Sequence, residues 1–492
     1  MEIAGSCHVQ PERGDLSAMR TTPINTRLNQ FDRRTLLQQS AQGFGALAFA
    51  ALFGDSAATG ESAMVRQHAA KIKNVIFLFM DGGPSQVDTF DPKPLLQQEH
   101  GKVFPASIDA TQFDNNGTTF ASPFGFEPRG TSGLMMSELF PNLAKNADDL
   151  CVIRSMSADF AEHSQACLYL HSGHSLQGRP SVGSWICYGL GSENDNLPGY
   201  IVINGGVLPI GGVENFSSAF LPAINQASMF DAYSGAEPVT NITPGESARQ
   251  QRMLLDFVRR QDDAFAARSG PASDAVDAAI RNYETAFAMQ TAVPELTNFS
   301  GETEATLNLY GADSKNALTA QYARQCLLAR RMIERGVRFV EVTCVRGIRF
   351  VAPWDDHEEL EVGHRKNAEV VDQPIHGLIT DLKERGLFDQ TLLVFAGEFG
   401  RTPFAQGGKG RDHNPQGFSI WLAGGGIRGG MAYGATDDFG YRAVENIASV
   451  HDLHATMLHL LGIDHERLTY RWSGRDLRLT DVYGNVLSAC LT

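Results

Sequence analysis

Four groups of acidic and histidine side chains each come where an apolar stretch of the chain gives way to polar residues. The groups are Asp81; His163 with Ser164; Asp355, Asp356 and His357; and Glu398 with Asp412 and His413. Carboxylates and imidazoles held by a rigid sheet are the ligand set of a divalent cation such as zinc, manganese, magnesium or calcium. Such a cation would polarise a phosphoryl or sulfuryl oxygen and activate a nucleophile at neutral pH.

Each group also has a structural explanation. An aspartate such as Asp81 that follows a strand often only caps a turn. Glu398 and Arg401 can form an ordinary ion pair in a solvated loop. A single histidine is more often a hydrogen-bonded polar residue than a ligand, but His163, His171 and His174 lie within one short stretch, which favours a function. The spacing places His163 at the start of a helix, where the macrodipole favours a bound anion.

The elements that must position these groups alternate along the chain. Apolar runs predict strands at 74–80, 150–156, 200–203, 337–345, 392–396 and 418–423, and periodic segments predict helices at 246–268, 275–290, 316–336, 372–385 and 451–462. Residues 291–313 are a polar stretch between helices, and a glycine-rich loop separates 397 from 417. This order predicts an α/β fold with a doubly wound, mostly parallel sheet flanked by helices. Ligands bind such sheets at the carboxyl ends of the strands.

The N-terminus has the pattern of a twin-arginine export signal. Arg33 and Arg34 precede a weakly apolar run at 43–54, and Ser56-Ala57-Ala58 is a small-residue cleavage site. We therefore expect residues 1–58 to be a leader and residues 59–492 to form one large domain, largely helical at about 225–335. The expected location is the periplasm, or otherwise outside the membrane through the twin-arginine pathway.

Composition narrows the class of partner. The net charge of −15 argues against nucleic acid, because a phosphate backbone attracts basic proteins. The leader holds as many acidic as basic residues, so the mature chain keeps that charge. No segment of the mature chain is apolar for the ~20 residues that a membrane-spanning helix needs. The six cysteines after the leader form no CxxC pair and are expected to be mostly small buried residues, with any disulfides unassigned.

Several long motifs resemble one known family. They are DRRTLLQQS, VIFLFMDGGPSQVDTFDPKP, GRPSVGSWICYGLGSENDNLPGYIVI, RQCLLARRMIERGVRFVEV and GEFGRTPFAQGGKGRDHNPQGFSIWLAGGGIRGG. Together they resemble DUF1501, whose members are regarded as sulfatase-like proteins of the alkaline phosphatase superfamily. The resemblance covers nearly the whole mature chain, and it implies an alkaline-phosphatase/sulfatase-like fold.

The resemblance also implies roles for individual residues. Asp81 matches the first metal-binding aspartate of the superfamily, and His413 matches the last metal-binding histidine. Asp355 and His357 are the nearest equivalents of an Asp-x-x-x-His ligand pair, with Asp356 and His364 as substitutes. Glu398 takes the place of a ligand aspartate, whereas Phe399, which replaces the histidine after it, cannot bind a metal.

The nucleophile of the superfamily also has no direct match. Ser172-Gly173 takes the place of a residue pair that follows the nucleophile on the same helix in the superfamily. The residue at the position of the nucleophile is therefore His163, which is next to Ser164. Either side chain would attack, or His163 would bind the metal. Arg401 and Arg154 are expected to clamp the anion, since a guanidinium matches a tetrahedral oxyanion.

These roles lead to two hypotheses. In the first, the chain is an exported metal-dependent hydrolase of phosphate or sulfate esters, either small anionic esters or sulfated or phosphorylated glycans. Its metal ligands would be Asp81, Asp355, His357, Glu398 and His413. In the second, it is a metal-stabilised, non-catalytic protein of the cell envelope that binds glycans.

Overall fold

The apolar runs predicted as strands form a central mixed sheet. The computed structural model describes residues 67–109, 111, 113–233, 237–269, 273–346 and 352–492, without the side chains of 266–269, 273–275, 277 and 278. The leader predicted at 1–58 lies outside these residues. The strands are β1 Asn74–Phe79, β2 Asn116–Thr119, β3 Phe126–Arg129, β4 Leu134–Ser137, β5 Leu150–Ser157, β6 Tyr200–Asn204, β7 Ser228–Asp231, β8 Phe339–Val342, β9 Thr391–Ala396, β10 Gly400–Gln406, β11 Gly410–Asn414, β12 Phe418–Gly424, β13 Met431–Tyr433, β14 Ala435–Thr436, β15 Ala443–Glu445, β16 Ala448–Ser449, β17 Tyr470–Trp472 and β18 Arg475–Leu477.

The central sheet runs in the order β13-β5-β12-β9-β1-β8-β6-β7, and β16 adds to β5. Strands β9, β1, β8, β6 and β7 are parallel neighbours, while β12 is antiparallel to both β5 and β9. Every residue of β1 and β9 is buried, as expected for apolar strands covered on both faces. The predicted mostly parallel α/β sheet is confirmed.

Helices cover both faces of this sheet. They are α1 Gln86–Thr89, α2 Pro94–Gln98, α3 His163–Ser172, α4 Val182–Leu190, α5 Ala248–Ser269, α6 Ser273–Thr297, α7 Glu304–Tyr310, α8 Ala317–Glu334, α9 Leu360–Glu384 and α10 Val450–Leu460. Helices α8 and α9 contribute to the hydrophobic core on one face, and α3, α4 and α10 to the core on the other. No helix among the described residues is long and apolar enough to cross a membrane.

The helix that carries His163 has clear local signals at both ends. The Glu162 side chain accepts a hydrogen bond from the backbone N–H of Gln165 and so caps one of the free donors of the first turn. Gly173 ends the helix at a φ of 70°, a left-handed conformation that favours glycine. The helix therefore begins where the sequence pattern predicts, which fixes His163 in its first turn.

Three local predictions were wrong. The stretch predicted as a glycine-rich loop at 397–417 is the antiparallel hairpin β10–β11, whose strands are polar in sequence yet buried. Helix α9 begins at Leu360 rather than at residue 372 and continues through Pro374, because tertiary packing overrides the preference of proline for a first turn. The polar stretch at 291–313 holds the end of α6 and the short helix α7.

The six described cysteines are all buried and unbridged. Their burial agrees with the expectation that they act mainly as small core residues.

Candidate metal centre

Three imidazole rings converge on one carboxylate oxygen. The Nε2 atoms of His357, His413 and His163 lie 2.7, 3.1 and 3.4 Å from Oδ1 of Asp355. The Nε2 atoms of His357 and His413 are 3.0 Å apart. All four ligand atoms lie within 4.8 Å of one another, so they could share a single ion. Three different elements supply them: the start of α3, the loop before α9, and strand β11.

The other nitrogen of each ring has an acceptor. Nδ1 of His163 is 2.7 Å from Oε1 of Glu398, and Nδ1 of His413 is 2.6 Å from the carbonyl oxygen of Ala161. Nδ1 of His357 faces the side-chain oxygen of Gln406. Metal-binding histidines almost always donate their second N–H in this way, which fixes the ring and leaves the first nitrogen free to ligate.

These residues fit a divalent cation. Nε2 of His163 is buried and has no hydrogen-bond partner, although it points toward Asp355. Three imidazole nitrogens and one carboxylate oxygen are the donor set expected for zinc or another borderline ion. A bound ion would also give the buried Nε2 of His163 a partner.

Arg401 holds the carboxylate of this cluster. Its Nη2 lies 2.7 Å from Oδ1 of Asp355, and the guanidinium also donates to the carbonyl oxygens of Gly82, Gly83 and Arg411. The side chain is fully buried, so these contacts occupy it. Burial alone would raise the pKa of Asp355, but Arg401 and the three histidines hold it well below its usual range. This geometry places Arg401 as a positioning residue for Asp355 rather than as the predicted anion clamp.

The histidines differ in their proton affinity. Burial alone would lower the pKa of His163, but its contacts with Asp355 and Glu398 raise it to about 9. Burial lowers the pKa of His413 to about 4. The positive charges of Arg401 and His163 lower it further, whereas the contact with Asp355 acts in the opposite direction. At neutral pH His413 is therefore neutral, the form in which an imidazole binds metal.

Two predicted ligands lie together beside this cluster. Strands β1 and β9 pair in register as far as Phe79 and Ala396, so Asp81 and Glu398 follow at matching positions. Each carboxylate oxygen of Glu398 accepts from the backbone N–H of Gly82, at 3.0 and 3.2 Å. Asp81 and Glu398 group with the thiol of Cys167, and burial together with the nearby Glu398 raises the pKa of Asp81 well above its usual value.

Two glycines hold the loop that carries Asp355 and His357. A Cβ added at Gly82 would lie 2.5 Å from the backbone nitrogen of Asp355. A Cβ added at Gly410 would lie 1.8 Å from the carbonyl oxygen of His357. Only glycine permits such close backbone approach, so both contacts fix the position of the loop that carries Asp355 and His357.

A buried ion pair anchors the hairpin that supplies His413. Nε of Arg411 lies 2.7 Å from Oδ2 of Asp88, and both side chains are fully buried. Arg411 also donates to the carbonyl oxygen of Thr402 across the hairpin. Asp88 therefore ties α1 to β11.

The suggested substitutes for the ligand pair have another role. Nδ1 of His364 lies 2.8 Å from Asp356, and its Nε2 accepts from the backbone N–H of Ser85. The hydroxyl of Ser85 donates to Asp88 instead of facing the imidazole. Asp356 and His364 therefore link this loop to the backbone at Ser85 and are not grouped with the four residues around Asp355.

Two predicted catalytic residues are engaged elsewhere. The hydroxyl of Ser164 donates to the carboxylate of Glu162 at 2.9 Å, as part of the helix cap. Nε of Arg154 donates to the carbonyl oxygen of Phe90 at 2.8 Å and lies 3.8 Å from Asp91. The structure groups neither of them with the four residues around Asp355.

Phe399 forms an apolar wall of the centre. Its ring stacks on that of His413 with centroids 4.3 Å apart and lies 5.0 Å from that of His163. Phe113, which is 56% exposed, packs its ring 4.9 Å from that of His357 at the solvent side. The two rings therefore limit the space around the imidazoles of His163, His357 and His413.

Sequence reasoning missed Cys167, Gln406 and the backbone acceptor at Ala161. Cys167 carried one available signal, because it lies four residues after His163 and so shares its helix face. Nothing in the sequence marks Gln406 or Ala161, because their role depends on where the hairpin and the β5–α3 loop meet.

The solved structures to which this chain is similar include sulfatases and members of the alkaline phosphatase superfamily. The lipoteichoic acid synthase LtaP from Listeria monocytogenes aligns over 88% of this chain and 79% of its own, with 10% identity and a TM-score of 0.38. The PsFucS1 sulfatase from Pseudoalteromonas sp. aligns over 86% and 72%, with 12% identity and a TM-score of 0.34. A TAB5 alkaline phosphatase mutant with bound Mg aligns over 80% and 98%, with 10% identity and a TM-score of 0.35. None of these likenesses bears on the activity of this chain.

No curated protein matches the sequence. One family model, described as "Protein of unknown function (DUF1501)", matches residues 72–491 and so spans most of the chain. This protein therefore belongs to the DUF1501 family.

Proposed function

We propose that this protein is an exported, metal-dependent hydrolase of phosphate or sulfate esters. The observation that carries the proposal is the convergence of three Nε2 atoms on Asp355, each from a ring whose Nδ1 has its own acceptor. Burying several oriented imidazoles costs desolvation free energy, and binding of a cation would offset that cost.

His163, His357, His413 and Asp355 would hold the ion. When bound, a divalent cation supplies charge stabilisation to an ester oxygen and lowers the pKa of water at its open position. A donor set of three nitrogens and one oxygen favours zinc or manganese over calcium and magnesium, which prefer oxygen ligands.

The chain's own residues would orient and shield the reacting group. Glu398, Gln406 and the Ala161 carbonyl fix the three rings, and Arg401 fixes Asp355. The ring of Phe399, which stacks on that of His413, would exclude water from that side of the ion. With Nε2 of His163 on the ion, the nucleophile would be a water molecule that the site orients. His163 could attack only if its Nε2 did not ligate the ion, and Ser164 would first have to leave its cap on Glu162.

The substrate class follows from the chemistry of the proposed ion. A tetrahedral anion, on a small ester or on a sulfated or phosphorylated glycan, would offer an oxygen to the cation. The accessible side of the centre carries the exposed ring of Phe113, which could pack against an apolar or sugar leaving group.

The test is an assay of the metal-loaded mature protein on an aryl phosphate and an aryl sulfate. We expect turnover of at least one ester, lost on chelation and restored by zinc or manganese. The variant His413→Ala should lose this activity, whereas His174→Ala, which changes a histidine outside the cluster, should keep it. Absence of turnover on both esters, or full activity in His413→Ala, would contradict the proposal.

A second candidate function is a metal-stabilised, non-catalytic envelope protein that binds glycans. The observation that favours it is the engagement of Arg401 and Ser164, which leaves neither of these predicted residues free to clamp or attack an ester. Binding of a sulfated glycan without release of sulfate, unchanged in His163→Ala, would support this candidate over the hydrolase.

A further inference from the structure

A second group of ligand atoms lies next to the cluster around Asp355. A carboxylate oxygen of Asp81, one of Glu398 and the sulfur of Cys167 lie within 4.8 Å of one another. All three side chains are buried, with exposures of 3%, 1% and 0%. The group is joined to the first cluster by the contact between Glu398 and Nδ1 of His163.

This group contains a buried carboxylate oxygen that has no partner. Glu398 receives the backbone N–H of Gly82 and faces His163, but Oδ1 of Asp81 is buried without any hydrogen-bond partner. Across the described ranges, His163 is the only basic side chain that forms an ion pair with either carboxylate, and it pairs with Glu398 rather than with Asp81, whereas Asp355 has Arg401 as well as histidines. Two carboxylates buried this close to each other require a compensating cation or a shared proton.

We propose that Cys167, Asp81 and Glu398 bind a second cation, and that the thiolate of Cys167 makes this position prefer zinc to magnesium or calcium. The inference rests on the proposed function, because it adds a neighbouring site to the same centre. Binding forms a metal–sulfur bond, and the thiol proton passes to solvent. Sulfur is a good ligand for zinc and a poor one for hard cations, so the thiol determines the selectivity.

Helix α3 explains how one segment serves both sites. His163 and Cys167 are four residues apart and therefore project from the same face, one turn from each other. The first turn presents an imidazole to the cluster around Asp355, and the next presents a sulfur atom to Asp81 and Glu398. Phe399, which follows Glu398 after β9, cannot bind a metal. The sulfur of Cys167 therefore supplies a ligand that the end of β9 does not.

Cobalt substitution tests the sulfur ligand directly. The full mature protein, freed of metal and titrated with Co²⁺, should bind two ions per chain and develop a near-ultraviolet sulfur-to-cobalt absorption band. Cys167→Ser should lose the band and bind the second ion at least ~10-fold more weakly, while the first ion stays bound. Cys187→Ser, a buried cysteine on α4 outside the group, should retain both the band and the stoichiometry.

The outcomes separate the two proposals. One bound ion without the band would overturn the second site and leave the first intact, and no bound ion would overturn both. A band that persists in Cys167→Ser would overturn the role of this cysteine. X-ray absorption of the zinc-loaded wild-type protein needs no variant, and a zinc shell without sulfur would overturn the inference even if Cys167→Ser failed to fold.

Discussion

Replacing Gly410 with alanine should remove His357 from the metal centre without touching any ligand. The added Cβ would stand 1.8 Å from the carbonyl oxygen of His357 and 2.5 Å from the nitrogen of Glu358. Real Cβ contacts essentially never fall below 3.0 Å, so the hairpin and the ligand loop must separate by at least about 1.2 Å. Gly410 is not in the left-handed region, so the effect is steric.

The size of the effect follows from the tolerance of metal coordination. Ligand distances in protein sites hold to within about 0.2 Å, several times less than the required displacement. Loss of even an orienting partner costs roughly 10- to 100-fold in affinity, so loss of a ligand should cost at least ~100-fold, or about 2.7 kcal/mol. Zinc affinity should be measured by competition with a chromophoric chelator, with circular dichroism to confirm that the variant is folded.

Two comparisons make this result specific. Gly408→Ala is the matched control, because a Cβ there meets nothing within 4 Å, and it should bind zinc as the wild type does. In the His357→Ala background, Gly410→Ala should cause little further loss, since both changes act on one ligand. Equal affinity in Gly410→Ala and Gly408→Ala would refute the steric reasoning. An undiminished second loss in the His357→Ala background would show that the effect does not pass through His357.

Three further predictions concern stability and location. Burial lowers the pKa of His454 to about 3, below the ~6.5 of an unfolded histidine. The unfolded chain therefore takes up the proton first, and the free energy of unfolding should fall by up to ~1.4 kcal/mol per pH unit as the pH drops below ~6.5. The slope should be shallower in His454→Gln, and an unchanged slope in this variant would contradict the prediction. Asp88→Asn should cost roughly 3–5 kcal/mol in chemical denaturation because it strands the buried charge of Arg411, whereas a loss below ~1 kcal/mol would show that the pair anchors little. Changing Arg33 and Arg34 to lysine should abolish export, measured by cell fractionation against an Arg27→Lys control, and unchanged export would remove the twin-arginine assignment.

Residues that directly follow a strand or begin a helix could be placed from the sequence around them. Asp81 and Glu398 follow apolar runs, and strands β1 and β9 pair in register, so their proximity could be expected from the alternation of the fold alone. His163 could be placed at a helix start from its local pattern, which is a property of consecutive residues. The ends of these strands are visible in the sequence because burial on both faces of a sheet leaves an uncharged run.

Other parts of the centre depend on contacts between distant segments. The polar hairpin β10–β11 is buried, although its sequence resembles a solvated loop, because Asp88 and Thr402 satisfy Arg411 inside it. Arg401 looked like an anion-binding residue, and only the fold shows that carbonyl groups and Asp355 occupy it. Side-chain partners fixed by such long-range packing leave no periodic signal in the sequence.

The central claim is that His163, His357 and His413 ligate one ion together with Asp355. The most direct test is X-ray absorption of the Cys167→Ser protein loaded with one equivalent of zinc, so that sulfur does not contribute. We predict three imidazole nitrogens at about 2.0–2.1 Å, falling to two when His163→Ala is added. A shell that contains fewer than three imidazoles, or that stays the same in the His163→Ala variant, would contradict the account.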